Sequence, residues 1–369
     1  MPTIVDKFTS TGAKFWNHPE ALEGLRNGKP RPVVSHIMPT DTCQHSCAFC
    51  SVVTRDGNSL SLQQIKEYLD QLVPLGLKAT IISGGGNPIL YPQFNEMISL
   101  IHGYGLKIGL ITNGMPLAMD RSGRVVWKNV SYETTRKLTW VRVSMSGLDH
   151  EEQCVYVPQF DRSCTTLGFS YVYHDIYTVP EDPHHGKVST QHDLIQLGVP
   201  AQRVVYGKDR LEWLAEEISK LVIAEDPQYV RLLPNCLEPD LIQSRCDVLQ
   251  LLATAIDPSR VFVQYKPPAA PQACYLGYLH PVLNTDGYVY PCDSCVLNKA
   301  AGHRFAEPWR MCRWDEIAKI YTSPVRSLVE PTKLCPMCVF TNSNELLKKV
   351  YDGLPLQAPD NTVEHPDFI

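Results

Sequence analysis

The chain has no run approaching the roughly 20 apolar residues needed to cross a bilayer, and its opening stretch, Met1 to Ser10, lacks the apolar core of a secretory signal. No membrane association is expected, and the location expected is cytoplasmic. Blocks of like charge are missing too. The formal net charge is −5 with both signs interspersed, so no clear nucleic-acid-binding face is expected and no polybasic run suggests a lipid surface. Internal repeats and low-complexity tracts are absent, which argues against solenoids and disordered scaffolds. What remains is a 369-residue chain, 44% hydrophobic and 20% charged, with ample apolar material for a large core. Its thirteen cysteines are odd in number and sit in a long chain, a poor match to a secreted disulfide framework. Metal binding is the better explanation, and the cysteine spacing sharpens it.

From Val33 onward, short apolar runs alternate with helical patterns, the signature of βαβ units and a parallel sheet. Strands are predicted at Val33–Met38, Ala79–Ser83, Lys107–Thr112, Trp140–Ser144, Gly168–Tyr173 and Tyr229–Leu233. Helices are predicted after a Ser61 cap, near Gln93–Gly103 and Tyr132–Leu138, and at Asp209–Ile223 and Leu241–Ala255. Thr178 to Gly186 reads as a surface loop, which makes its His184 and His185 solvated residues. The Pro-rich stretch beginning at Lys266 marks a boundary. Beyond it, Asn284-Thr-Asp-Gly287 between Leu279–Leu283 and Tyr288–Tyr290 signals a β-hairpin, and a short helix is predicted at Trp314–Tyr321. The expected division is an N-terminal extension 1–32, an α/β domain 33–265, a small α+β domain 266–350 and a tail 351–369.

The loop after the first strand reads Asp41-Thr-Cys43-Gln-His-Ser-Cys47-Ala-Phe49-Cys50, a C-x3-C-x2-C spacing. Three thiolates can hold three irons of a 4Fe-4S cube and leave the fourth iron open to a ligand. A zinc site would want a second close cysteine pair, and none follows within the next hundred residues. The loop, with its aromatic Phe49 before the third cysteine, resembles the motif of the radical S-adenosylmethionine (SAM) superfamily. That resemblance implies a partial (β/α)6 barrel, a 4Fe-4S cluster on Cys43, Cys47 and Cys50, and SAM bound to the open iron. It also implies reductive cleavage of SAM to a 5′-deoxyadenosyl radical that abstracts hydrogen from a substrate, with electrons from a donor such as flavodoxin or ferredoxin. Gly84-Gly85-Gly86-Asn87 follows the second strand where the family has its GGE motif, which contacts the SAM amino group; here Asn87 replaces the acidic residue and lacks its charge. Phe49, Thr112 and Asn113 at the third strand's end, and Ser144 and Ser146 at the fourth's, complete the implied SAM contacts. A capped turn explains the serines and a simple tight turn the glycines on structural grounds alone.

Toward the C-terminus, Cys274 is followed after twelve residues by Gly287 and after four more by Cys292, with a C-x2-C pair at Cys335 and Cys338. The pattern resembles the twitch and SPASM auxiliary-cluster domains and implies a second 4Fe-4S cluster on Cys274, Cys292, Cys335 and Cys338. Cys295 or Cys312 can replace one of these. A zinc ribbon of Cys292, Cys295, Cys335 and Cys338 competes, although its spacer exceeds the roughly 15–20 residues usual for such sites. Cys154, Cys164, Cys236 and Cys246 lack ligand spacing and read as small apolar residues. Only about thirty residues precede the first strand, fewer than the roughly 50 a domain needs, so the expected substrate is a small molecule or nucleotide. The alternatives are a radical SAM maturase of a ribosomal peptide and, in another class, a non-catalytic iron–sulfur electron-transfer protein.

Overall fold

A computed structural model describes residues 4–9, 12–47, 49–119, 121, 123, 125–149, 155, 157, 160–174, 176–178, 204–265, 269–358 and 363–369. The Lys266–Pro268 start of the boundary stretch, Cys154, His184, His185 and all but Thr178 of the loop reading lie outside the described residues. Seven strands run in parallel: β1 (Val34–Ile37), β2 (Ala79–Ile82), β3 (Lys107–Thr112), β4 (Trp140–Ser144), β5 (Thr166–Tyr173), β6 (Tyr229–Pro234) and β7 (Val261–Val263). Six match the alternating pattern. The seventh, only three residues long and directly before the Pro-rich stretch, was not anticipated.

Each strand lies beside its predecessor, and the sheet then continues past β1. There β8 (Val282–Leu283) pairs with β1 in parallel, and β9 (Tyr288–Tyr290) and β10 (Cys312–Arg313) add antiparallel strands. The predicted hairpin forms, with Gly287 at φ 78° in its turn, a left-handed conformation that glycine adopts without a steric penalty. All four residues of both β1 and β2 are buried, as expected for parallel strands covered on both faces.

Helices cover one face. Helix α1 (Leu62–Leu72) starts at a capping box in which Ser61 Oγ accepts from the Gln64 backbone and Gln64 returns the bond. Its Ile65, Leu69 and Leu72 are fully buried, at the predicted spacing. Helices α2 (Phe94–Gly103), α3 (Gly207–Glu225) and α4 (Ile242–Ile256) follow the pattern, whereas the helix expected at 132–138 stops after Tyr132–Thr135.

On the other face the sheet curves around a cavity of about 350 Å³ that touches side chains from β1 through β6. Its floor is aromatic. Trp140 pairs across strands with Gly109, and Tyr229 with Gly168; a Cβ on either glycine would lie 2.1 Å from the opposing ring. The absence of those two carbons lets the rings lie flat across the sheet. Phe8, from the short helix Ile4–Phe8, stacks on Tyr229 at 4.5 Å, and Phe368 meets Trp140 edge-on at 5.2 Å.

These contacts pin the Tyr229 ring, so Gly168→Ala should destabilise the protein by about 1–3 kcal/mol through overpacking. Gly103→Ala, where an added Cβ meets nothing within 4 Å, serves as the control. Thermal melts of both variants check this; equal melting temperatures would show that Tyr229 moves aside at no cost.

Candidate functional site

The cysteine loop leaves the C-terminal end of β1 and is held there by the glycine turn after β2. Gly86 N–H donates to the Thr40 carbonyl at 3.2 Å and Asn87 N–H to the Thr42 carbonyl at 2.8 Å. A Cβ on Gly86 would stand 2.2 Å from the Thr42 oxygen, and one on Gly84 3.0 Å from the Thr40 oxygen. None of Gly84, Gly85 and Gly86 has a positive φ. Their glycine requirement is close approach of backbone to backbone, rather than an unusual turn.

Asn87 is buried and ties three elements together. Its Oδ1 accepts from Thr112 Oγ1 at 2.7 Å, and its Nδ2 donates to Asn113 Oδ1 at 2.8 Å and to the Met115 carbonyl. Asn113 Oδ1 also accepts from Gln44 of the cysteine loop at 2.9 Å, and Asn113 Nδ2 reaches His45 Nδ1 at 3.3 Å. Leaving one buried member of such a network unsatisfied costs about 1–3 kcal/mol.

The three sulfurs come together, close enough that Cys43 and Cys50 both act on Cys47. Burial, then Cys50, then Cys43 pushes the Cys47 thiol well above its ordinary value; burial likewise raises Cys43. Each sulfur also has a hydrogen-bond donor aimed at it. Asn113 Nδ2 lies 3.8 Å from Cys43 Sγ, the Ser146 hydroxyl bonds Cys47, and a guanidinium nitrogen of Arg55 lies 3.0 Å from Cys50 Sγ. A neutral thiol is a weak acceptor, so a donor for each sulfur suits thiolates bound to iron, whose cluster potentials such bonds tune. The residues present therefore fit a cluster of the expected kind.

Arg55 is the chief functional residue that the sequence pattern missed. Besides Cys50 it donates to the Gly85 carbonyl at 2.8 Å and the His45 carbonyl at 3.2 Å, bridging the loop and the glycine turn. A lone basic residue five positions past the third cysteine carries no recognisable spacing. Phe49 faces the cavity, its ring 5.9 Å from that of His174. His174 Nε2 is 3.4 Å from Asp149 Oδ2, and Tyr171 donates to Asp149 Oδ1 at 2.8 Å, a buried polar group next to Cys47 that was also unforeseen. Ser144 ends β4, half-buried and paired with Ser170.

Cys274, Cys292, Cys335 and Cys338 line one small pocket, and Cys295 lines it with them. Cys312 is on β10 and does not. Burial first, then neighbouring sulfurs, raises the Cys274 and Cys292 thiols; burial and then Asp293 raises Cys295. Cys338 has the Asn344 amide 4.0 Å away, and the buried Trp309 N–H lies against Cys335. Of the remaining cysteines, Cys236 lines the large cavity, Cys246 is buried and Cys164 is exposed. Every described cysteine is free of disulfides. Among the described residues, no three His, Cys, Asp or Glu side chains are placed to hold a single metal ion, and no helix is long and apolar enough to cross a membrane.

Residues 37–153, which carry the cysteine loop, the glycine turn and Ser144, match the family model of the radical SAM superfamily. The match covers about a third of the chain. An S-adenosylmethionine-dependent nucleotide dehydratase of Selenomonas ruminantium is 33% identical over 75 residues, 20% of this chain and 27% of that protein. A GTP 3′,8-cyclase of Synechocystis is 32% identical over 114 residues, 28% of this chain and 35% of that one. The chain thus spans about a third of the length of these curated relatives. A solved structure of Streptococcus suis SuiB bound to precursor peptide SuiA aligns with a TM-score of 0.45 at 13% identity, over 75% of this chain and 63% of that chain.

Because the Gly86 contact is backbone on backbone, neither side can yield cheaply, and Gly86→Ala should push the cysteine loop off the turn. In metal-free protein, Cys43, Cys47 and Cys50 should then react faster with a thiol reagent such as DTNB, while the C-terminal cysteines keep their rates. Unchanged labelling of the three would show that the loop does not depend on this contact.

Proposed function

We propose that this protein is a radical SAM enzyme that acts on a small-molecule or nucleotide substrate held on the concave face of its sheet. The observation that carries this reading is the trio of half-buried cysteines in the loop at the C-terminal end of β1, each with its own donor, beside a cavity of about 350 Å³ that Phe49 and Ser51 of the same loop line. That volume lies within the roughly 300–1,000 Å³ usual for small-molecule sites. Cys43, Cys47 and Cys50 would hold the 4Fe-4S cluster. Bound there, the cluster supplies the electron that cleaves SAM to methionine and a 5′-deoxyadenosyl radical, which takes a hydrogen atom from the substrate.

The protein's own groups position and shield. The glycine turn presents its backbone to the SAM amino-acid head, and Asn87 Oδ1, with one bond already accepted from Thr112, keeps a second lone pair for the amino group. Phe49, Asn113, Ser144 and Ser146 complete the SAM contacts. Arg55 offsets negative charge at Cys50. The curved sheet of residues 33–265 acts as a partial barrel and residues 266–350 as a twitch-like unit, in which four of the five pocket cysteines hold an auxiliary 4Fe-4S cluster. A flavodoxin or ferredoxin supplies electrons in a cytoplasmic setting.

Anaerobic reconstitution should give about eight irons per chain, two cubes of four, with zinc well below one. Reduced protein should convert SAM to 5′-deoxyadenosine. Cys47→Ala should abolish that conversion and keep about four irons; turnover surviving this change would refute the assignment.

The auxiliary ligands are resolved by a second pair of variants. Cys274→Ala should lower iron and sulfide at the auxiliary site, and Cys295→Ala should leave both unchanged. The reverse result, or about one zinc in place of four irons, would favour the ribbon.

A further inference from the structure

The large cavity is more basic than anything in the sequence announced. Arg142 and Arg231 occupy inward positions on β4 and β6, one strand apart on either side of β5, and Lys14 reaches the same space from the N-terminal segment. Neither arginine has a carboxylate within 4 Å among the described residues, and the Nε of each is buried without an acceptor. Arg231 donates to Gln264 Oε1 at 2.9 Å. Arg142 lies 5.8 Å from the Trp140 ring centroid. Lys14 is buried and likewise forms no ion pair among the described residues. Asp293 is the carboxylate in this wall, and Glu364 acts on Lys14 from beside it, so three cations meet two carboxylates, neither of them in an ion pair with the arginines.

An unpaired charge out of water is costly, by several kcal/mol in general, and the structure registers that cost. Burial, then repulsion from Arg142, lowers Arg231 to about 9, and the same two causes lower Lys14 to about 8. Lys14 and Arg231 still carry charge at neutral pH. His36 and His280, which also face the cavity, are held neutral by burial at about 3 and add none. A group of cations kept together against this penalty has its counter-charge in whatever binds between them.

We infer that Lys14, Arg142 and Arg231 form a phosphate subsite, and that the substrate is a phosphomonoester whose dianion sits among them. This rests on the proposed function and specifies its substrate class. Two guanidinium forks with no ion-pair partner among the described residues, with Lys14 beside them, match the oxygens of a phosphate better than those of a carboxylate. Gln264 and Ser83 supply neutral donors on the same wall. Depth supports the assignment. Arg142 precedes the last residue of β4 by two positions, about 7 Å along a strand, so the anion lies below the cysteine loop. The rest of the substrate then extends upward toward Phe49 and Ser51, which line the cavity from that loop.

The test uses the full reconstituted chain, titrated calorimetrically with inorganic phosphate and, separately, with acetate at constant ionic strength. Phosphate should bind saturably at one site and acetate far more weakly. Arg142→Gln and Arg231→Gln should each weaken phosphate binding by about tenfold or more, while Lys220→Gln on the exposed surface of α3 should not. Phosphate should raise the melting temperature of the wild type and not of either arginine variant. Without phosphate, Arg231→Gln should melt no lower than the wild type, since a buried unpaired charge has been removed; if it fails to fold, Arg142→Gln and Lys14→Gln carry the same test. Absent phosphate binding by the wild type, unchanged binding in the variants, or acetate binding as tightly as phosphate would each overturn the subsite. Formation of 5′-deoxyadenosine in the same preparation separates the two claims. SAM cleavage without phosphate binding refutes only the subsite, and phosphate binding without SAM cleavage refutes only the enzyme reading.

Discussion

The cysteine site depends on backbone meeting backbone where a side chain would ordinarily stand. Gly86 lies against the Thr42 carbonyl with no space for a Cβ, so the loop bearing Cys43, Cys47 and Cys50 rests on the turn after the neighbouring strand. Two backbone hydrogen bonds fix its height, Asn87 locks the turn to the end of β3, and Arg55 fastens the far side. Three parallel strands therefore share one polar joint, and the sulfur positions are set by the sheet rather than by the loop's own conformation. Sites built on rigid elements in this way hold their geometry more closely than sites on free loops.

The same economy of atoms shapes the cavity. Gly109 and Gly168 surrender their side chains so that Trp140 and Tyr229 can pave the floor, and the space above them admits the arginines. A sheet face that might have closed into an apolar core is instead propped open by aromatic rings and lined with charge. Charge at that depth lowers stability and gives the surface something to recognise.

Much of this was legible in the sequence. The alternation of apolar runs and helical periods located six of the seven parallel strands, because buried parallel strands read as continuous apolar segments, and the C-x3-C-x2-C spacing picked out three cysteines that the fold gathers after β1. The C-terminal cysteines were readable as a set, and the pocket they share includes Cys295 but not Cys312, a distinction that depends on how the chain turns after β9. What stayed hidden has a common character. β7 is too short for periodicity to register. Arg55, Arg142 and Arg231 are isolated basic residues whose meaning comes only from the strand or sulfur they face. Gly109 and Gly168 fall within predicted strands, and nothing in the sequence pattern points to the rings they face.

One consequence follows from the position of β1. It is the first strand of the sheet in the chain, yet it lies in the interior, flanked by β2 and by β8, whose residues come more than two hundred positions later. During synthesis the β8 side of Val34–Ile37 stays an open edge until Val282 and Leu283 arrive, and all four of its residues are destined for burial. Edges of that kind invite pairing with other chains, and contacts so distant in sequence form slowly. The cysteine loop hangs from this strand, so its final seating waits on nearly the whole polypeptide. The chain's last quarter thus acts as a latch on the strand from which its first motif hangs.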